Sequence, residues 1–137
     1  MIQRFTGARC WETLPLHRLS TWSWAIKWKD RAGFLGMCLL RPLEGTDWTC
    51  IGWRFVCRYW GQGIATEAAR PILAHASRVP SIDPVVAIVD PRNLASLRVA
   101  EKIGLRRAGT AYHYGTEQVL FFERAPRTGG SLTPRLQ

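Results

Sequence analysis

The sequence predicts a single α/β (α+β) domain with a mixed, largely antiparallel sheet flanked by helices, in the order β-β-β-α-β-α-β-β. Three observations predict it. Apolar and polar residues alternate early in the chain, apolar residues then recur at helical spacing, and a very apolar segment follows between two helical stretches. A long helix followed by a buried strand beside the preceding one implies a right-handed crossover within a mixed sheet.

The first three strands are expected to form an antiparallel meander. Within residues 22–28, three tryptophans and an isoleucine alternate with serine, alanine and lysine, which is typical of a strand with one buried face. A nearly continuous apolar strand is expected over 34–40, closed by Pro42, and a third strand over 48–56. The short loops between these strands favour the meander.

A helix and a buried strand are expected next. Apolar side chains recur at helical spacing over residues 64–77. Pro71 lies inside this segment, where it removes one hydrogen bond and can kink a helix. Residues 84–89 are apolar almost throughout, as expected for a strand covered on both faces.

The second helix is expected between Asn93, which suits the N-cap position, and Gly104, which suits the position just past a helix end. Two strands, over about 109–113 and 118–123, complete the predicted fold, and a turn at 114–116 joins them.

The two ends of the chain carry weaker signals. Residues 1–21 are expected to be irregular, the remnant of a longer N-terminal part of the domain. Within them, 11–19 could form a short helix interrupted by Pro15. Residues 126–137 are rich in Gly, Pro, Ser and Thr and are predicted to be disordered. The single domain is therefore expected to span residues 1–125.

Composition narrows the possible partners. The 137 residues carry a formal net charge of +9, which favours nucleic acid, acidic protein surfaces or a polyphosphate cofactor. The basic residues are scattered and form no stripe, so nucleic acid is not expected. No apolar run reaches the length of a membrane span, and the first residues do not resemble a secretory signal.

The four cysteines argue against a metal site. No pair has CxxC spacing, and the three histidines are far apart in sequence, so no metal is expected. Reduced cysteines in apolar, strand-like stretches behave as small hydrophobic residues and suit a cytoplasmic location.

The most informative segment is the loop between the third strand and the first helix. Gly61 and Gly63 are separated by one residue where the strand gives way to the helix, so the backbone can approach a ligand closely. The free N–H groups of the first helical turn favour an anion there. A Walker loop is excluded because no Gly-Lys-Ser/Thr follows, and a dinucleotide fingerprint lacks its third glycine at Thr66.

This loop resembles the signature of GNAT acetyltransferases. Arg58-x-x-Gly61-x-Gly63 matches the Q/R-x-x-G-x-G/A pattern in its strand–loop–helix context. Residues 51–68, together with the segments 90–96 and 101–105, are similar to the branch that acetylates the N-termini of ribosomal proteins. The resemblance covers about residues 22–123.

The resemblance implies acetyl-CoA as co-substrate and a primary amine as acceptor. Backbone amides of residues 60–65 would hold the pyrophosphate, main-chain groups of Phe55 and Val56 would pair with pantetheine, and Arg98 or Lys102 would reach the adenosine phosphates. The cofactor-binding residues that the resemblance implies are Phe55, Val56, Arg58, Trp60, Gly61, Gln62, Gly63, Ile64, Ala65, Asn93, Ser96 and Lys102.

The catalytic residues that many family members carry are replaced here. Ala100 stands where a Tyr general acid is common, which leaves Ser96 as the candidate catalytic residue near the thioester sulfur. Cys50 lies where a Glu base is frequent, but its apolar neighbours favour packing over nucleophilic attack. Direct attack by a well-positioned amine is the alternative. The segment 112–114 (Tyr-His-Tyr) could line the acceptor pocket.

Three functions are compatible with these features: an N-acetyltransferase acting on a protein N-terminus or a small amine, a CoA-binding module without activity and, less favoured, a basic nucleic-acid-binding protein. The family usually begins with a strand and one or two helices, and too few residues precede Trp22 for all of them. Four tryptophans between Trp22 and Trp48 would leave an apolar patch if nothing packed on them, so a homodimer, or else a chain of poor stability, is predicted.

Overall fold

The computed structural model describes residues 3–4, 11–18, 21–28, 32–79, 82 and 84–123. These residues form one eight-stranded sheet, two α-helices and a 3₁₀ turn at Cys57–Tyr59. The strands are β1 (Gln3–Arg4), β2 (Trp11–Arg18), β3 (Thr21–Trp28), β4 (Phe34–Pro42), β5 (Thr49–Phe55), β6 (Val85–Val89), β7 (Arg106–His113) and β8 (Thr116–Phe122), and the helices are α1 (Ile64–Ser77) and α2 (Leu94–Lys102).

The strands lie in the order β1-β2-β3-β4-β5-β6-β8-β7. Neighbouring strands are antiparallel except β5 and β6, which are parallel and are connected through α1. This arrangement confirms the mixed, largely antiparallel sheet and the predicted order of elements from residue 21 onwards.

The N-terminal segment differs from the prediction. Residues 11–18 form a strand that pairs with β3 along its whole length, so the interpretation of 1–21 as irregular, with a short helix at 11–19, is wrong for these residues. A helix would hold Pro15 in its interior, whereas a strand tolerates proline where no further strand pairs with it. Pro15 lies beyond the described register of β1, which ends opposite Thr13. Only residues 19 and 20 separate β2 from β3 in the sequence.

The first helix has the predicted bounds and runs through Pro71 without interruption. It buries one face on the sheet and packs against α2. The face consists of Ile64, Ala68, Ala69, Ile72, Leu73 and Ala76. The predicted disordered tail, 126–137, and Cys10 lie outside the described residues.

The sheet carries a second, smaller core on the face away from the helices. The connection between β4 and β5 folds over this face, and Trp48 packs edge-on against Phe122 with ring centroids 4.8 Å apart. Trp24 and Trp48 are each 7% exposed, whereas Trp22 is 41% exposed. The large tryptophan patch expected from the sequence is therefore reduced, because two of its four members pack within the chain.

Neither helix within the described parts of the chain is long and apolar enough to cross a membrane. Among those same residues, no three His, Cys, Asp or Glu side chains come together in a group that could hold a metal ion.

Candidate functional site

The site begins where β5 and β6 separate. The two strands pair at Thr49↔Val85 and Cys50↔Val86, and β5 then continues to Phe55 without a described partner on that side. The backbone N–H of Val56 donates to Leu35 O on β4 at 2.9 Å. Since main-chain groups alternate in direction along an antiparallel strand, those of residues 51, 53 and 55 face the gap beside β6.

A cavity of about 510 Å³ lies between the end of β5, the 57–63 loop, the first turn of α1 and one side of α2 along its length. Gly61 (φ 73°) and Gly63 (φ 78°) line it, and a Cβ at either position would meet no atom within 4 Å. Gly63 is the N-cap of α1, and no side chain caps that helix end. The first-turn N–H groups, which have no partner inside a helix, are therefore available to a ligand in this cavity.

The charges around this first cavity are all positive. Arg54, Arg98 and Lys102 line it, and no carboxylate belongs to the described lining. The helix N-terminus and these cations all contribute positive electrostatic potential, so the cavity favours an anion.

Nine of the twelve residues that the resemblance implied for cofactor binding line this cavity. These are Phe55, Trp60, Gly61, Gly63, Ile64, Ala65, Asn93, Ser96 and Lys102.

The other three lie elsewhere. Val56 does not line the cavity, and both of its main-chain groups have partners: its N–H donates to Leu35 O and its carbonyl accepts from Tyr59 N, both at 2.9 Å. Arg58 lies over the ring of Tyr59, with Cζ 5.1 Å from the centroid, and Gln62 Nε2 donates to Arg58 O at 3.3 Å. These two side chains belong to the loop surface and not to the cavity wall.

Phe55 and Trp60 are joined by a hydrogen bond at the rim of the cavity. The indole Nε1 of Trp60 donates to the main-chain carbonyl of Phe55 at 2.8 Å. This carbonyl faces the gap, so a ligand that pairs with it must share it with Trp60 or displace that indole.

The start of α2 places two polar side chains at the inner end of the cavity. Asn93 is the N-cap, as predicted, and its Oδ1 accepts from Ser96 N at 3.1 Å. Trp53 Nε1 donates to Ser96 Oγ at 3.3 Å. Because the hydroxyl accepts from Trp53, its own proton is free to point at another acceptor.

A second cavity, of about 420 Å³, meets the first one at Trp53, Arg54, Asn93 and Ser96. Its β4 lining residues, Met37, Leu39 and Arg41, alternate with Cys38 and Leu40 of the helix-side core. Successive side chains of a strand point to opposite faces, so this cavity opens on the face of the sheet away from the helices.

Arg41 and Tyr114 form one wall of the second cavity. Arg41 Nη2 donates to Tyr114 Oη at 2.6 Å, and Arg41 Cζ lies 5.3 Å from the ring centroid. Tyr114 occupies a two-residue turn with Gly115, at φ 55° and 80°, between β7 and β8. Of the three residues expected at the acceptor pocket, Tyr114 lines the cavity, whereas Tyr112 and His113 do not.

Asp90 lines the second cavity as a salt-bridged carboxylate. Its Oδ2 lies 2.8 Å from Arg92 Nη2, and its Oδ1 accepts from the Arg92 main-chain N–H at 2.8 Å. The hydrogen bond from the Arg92 side chain is the largest cause that lowers the pKa of Asp90 from 3.8 to about 2. A carboxylate of such low basicity is a poor general base for an amine.

Cys50 also lines the second cavity, and burial raises the pKa of its thiol. This agrees with the expectation that Cys50 packs and is not a nucleophile. Ala100 is fully buried in the helix-side core. In the described lining of both cavities, Asp90 is therefore the one carboxylate, and no histidine is present.

Several lining residues were not among those expected from the sequence. Trp53 and Arg54 directly precede Phe55, so their position on β5 was a usable signal. Arg41 gave no such signal, because its place follows from the register that sets it opposite Cys50. Tyr59, Thr66, Ala95 and Val99 were also missed.

Comparison with known proteins agrees with this geometry. The family model described as acetyltransferase (GNAT) domain matches residues 2–106. The uncharacterized protein YkkB of Bacillus subtilis (strain 168) is 39% identical over 89 residues, which are 64% of this chain and 52% of that protein. The chain thus spans about half the length of this curated relative.

Two solved structures share the fold. The aminoglycoside acetyltransferase AAC(6')-Ib in complex with coenzyme A superposes with a TM-score of 0.66 at 19% identity, over 77% of this chain and 67% of that one. The ribosomal-protein-S5-alanine acetyltransferase of Vibrio fischeri gives 0.65 at 17% identity, over 75% and 61%. At these identities the likeness establishes the fold alone.

Proposed function

Because the chain belongs to the GNAT acetyltransferase family, we propose that it transfers an acetyl group from acetyl-CoA to a primary amine, on a protein N-terminus or a small molecule. One observation carries this proposal. A cationic cavity at a helix N-terminus and a second cavity on the opposite face of the sheet meet at Ser96. A donor and an acceptor that enter from the two faces would meet at that point.

The residues of the first cavity fit the phosphates of acetyl-CoA. Glycines with open space at both Cβ positions allow close approach of the pyrophosphate to the backbone around Gly61 and Gly63. Arg98 and Lys102, on the exposed side of α2, fit the adenosine phosphates. The main chain of Phe55, as expected, and that of Trp53, in place of Val56, face the gap and are proposed to pair with pantetheine.

We assign Ser96 the role of hydrogen-bond donor to the leaving sulfur. When bound, acetyl-CoA supplies an activated thioester: the amine nitrogen forms the new N–C bond, the C–S bond breaks, and the proton lost by the amine ends on the sulfur. Ser96 Oγ already accepts from Trp53 Nε1, so its proton is directed to another acceptor. A hydroxyl in this orientation stabilises developing negative charge.

The acceptor amine is proposed to attack in its neutral form without a strong side-chain base. The low pKa of Asp90 and the raised pKa of Cys50 leave neither group suited to remove the proton near neutral pH. Positioning two reactants supplies a large part of such a rate enhancement by itself. The rate should therefore rise with pH up to the pKa of the acceptor amine.

Turnover tests the proposal. We would measure release of the CoA thiol from acetyl-CoA with a panel of primary amines, for the wild type and for Ser96→Ala. Amine-dependent release that Ser96→Ala lowers about tenfold supports the enzyme. Acetyl-CoA binding without turnover on any amine would instead indicate the CoA-binding module that has no activity, and a salt-dependent gel shift in place of CoA binding would indicate the nucleic-acid-binding protein.

We further propose a homodimer in a reducing cytoplasm. Trp22 and Phe34 are both exposed large apolar residues, at opposite ends of the β3–β4 pair, and each supports a contact with a second copy. Free thiols at Cys38, Cys50 and Cys57 support a reducing location. Light scattering that finds a monomer at micromolar concentration would exclude the dimer.

A further inference from the structure

The second cavity carries an excess of positive charge. Two guanidinium groups, Arg41 and Arg54, belong to its described lining, against the single carboxylate of Asp90. The salt bridge to Arg92 already compensates that carboxylate. An amine with further positive charges would find no unpaired acidic partner in this lining, whereas an anionic group would find two cations.

Arg41 is held in place with donor capacity left over. No carboxylate among the described residues pairs with it, and its described partners are the hydroxyl and ring of Tyr114. Its Nε is buried without a hydrogen-bond partner. A guanidinium has five N–H donors in a fixed fork that matches a carboxylate or phosphate. The buried Nε is not accessible and Nη2 donates to Tyr114, so an anion in the cavity would bind through the remaining Nη donors.

Tyr114 occupies a backbone position that rarely favours tyrosine. Its φ of 55° lies in the left-handed region, in a two-residue turn where asparagine followed by glycine is preferred. The strained conformation brings the phenol against Arg41. The turn alone does not favour tyrosine at this position, whereas the contact with Arg41 accounts for it.

From these observations we infer that the acceptor is a primary amine with a carboxylate or phosphate group, which Arg41 binds while the amine reaches Ser96. The inference rests on the proposed function and names the substrate class of the same site. The volume of about 420 Å³ suits a small molecule or the first two residues of a peptide. Polycationic amines such as aminoglycosides are disfavoured by the same charges.

Alanyl dipeptide amides test the inference, because they share one α-amino group and differ in one side chain. We would compare kcat/KM for alanyl-glutamate, alanyl-glutamine, alanyl-lysine and alanyl-phosphoserine amides. Glutamate should exceed glutamine about tenfold, and lysine should be poorest. The glutamate and phosphoserine arms distinguish the two anionic groups. Equal rates for glutamate and glutamine, or a preference for lysine, would overturn the inference.

Arg41→Gln should abolish the preference for glutamate over glutamine, whereas Arg106→Gln, an exposed arginine outside both cavities, should keep it. If Arg41→Gln does not fold, Tyr114→Asn replaces it as the test variant, since asparagine suits this turn. It should reduce the preference for glutamate over glutamine without loss of stability.

Calorimetric titration of acetyl-CoA runs in parallel. If acetyl-CoA does not bind the folded wild type, the proposed function fails; if it binds and the preference is absent, only the acceptor inference fails.

Discussion

Trp53 Nε1 on β5 donates a hydrogen bond of 3.3 Å to Ser96 Oγ on α2. This contact joins β5 to the first turn of α2 at the place where the two cavities meet. In the proposed reaction Trp53 is a positioning residue, since it occupies one lone pair of Ser96 Oγ and so restricts where that hydroxyl points its proton. The orientation of Ser96 depends on the strand across the gap as well as on its own helix.

Trp53→Phe should lower kcat about fivefold, because it removes the donor that orients Ser96 while an aromatic ring remains. The affinity for acetyl-CoA should change little. In the Ser96→Ala background the same substitution should have almost no effect on kcat, which a double-mutant cycle with steady-state kinetics would measure. An equal loss in both backgrounds would show that Trp53 acts through packing.

Two substitutions of Asn93 distinguish its role as the N-cap of α2 from a role in binding acetyl-CoA. Asn93→Asp keeps a side-chain oxygen for Ser96 N, so the free energy of unfolding should stay within about 0.5 kcal/mol of the wild type, whereas Asn93→Ala should cost about 1 kcal/mol. Urea unfolding measures both values.

The carboxylate of Asn93→Asp also adds negative charge beside the cofactor cavity, so the affinity for acetyl-CoA should fall severalfold. Wild-type affinity in this variant would mean that Asn93 caps the helix and takes no part in binding.

Much of the fold was predictable because periodicity is a local property. The bounds of α1 and the cap at Asn93 follow from residues close in sequence. The strand at 11–18 was not predictable in this way, because its stability comes from pairing with β3 and its own pattern is interrupted by Pro15. Sheet pairing depends on the partner, which a local pattern does not contain.

In the candidate site too, the parts that are local in sequence were predictable and the contacts between distant residues were not. The loop at Gly61 and Gly63 is a contiguous motif, and its position at the first cavity followed from the sequence. Arg41 and Tyr114 are 73 residues apart, and only the fold brings them into contact. The direction of the Val56 N–H towards β4 was not predictable, because alternation on β5 decides which main-chain groups face the gap, and the register is set by β4.

The Asp90–Arg92 pair predicts a specific pH dependence of stability. The pKa of Asp90 is lowered from 3.8 to about 2, so the folded state favours the ionised carboxylate. This contribution is present above about pH 4 and is lost as the pH falls from there towards 2. Asp90→Asn should therefore lower the urea midpoint at pH 7, and the difference from wild type should shrink at about pH 2.5. Glu44→Gln, a change at an exposed carboxylate, is the control. A difference that does not vary with pH would exclude the ion pair as its source.

Calorimetric titration of acetyl-CoA tests the central claim most directly. The wild type should bind with a Kd in the micromolar range, about −8 kcal/mol. Gly61→Glu, which places a carboxylate where the pyrophosphate is expected, should abolish binding. Gly45→Glu is the matched control, because Gly45 has a similar φ of 77° and an equally open Cβ position but lies in the turn between β4 and β5. Binding by the wild type and Gly45→Glu alone is the predicted result, whereas a folded wild type that binds no acetyl-CoA would contradict the account.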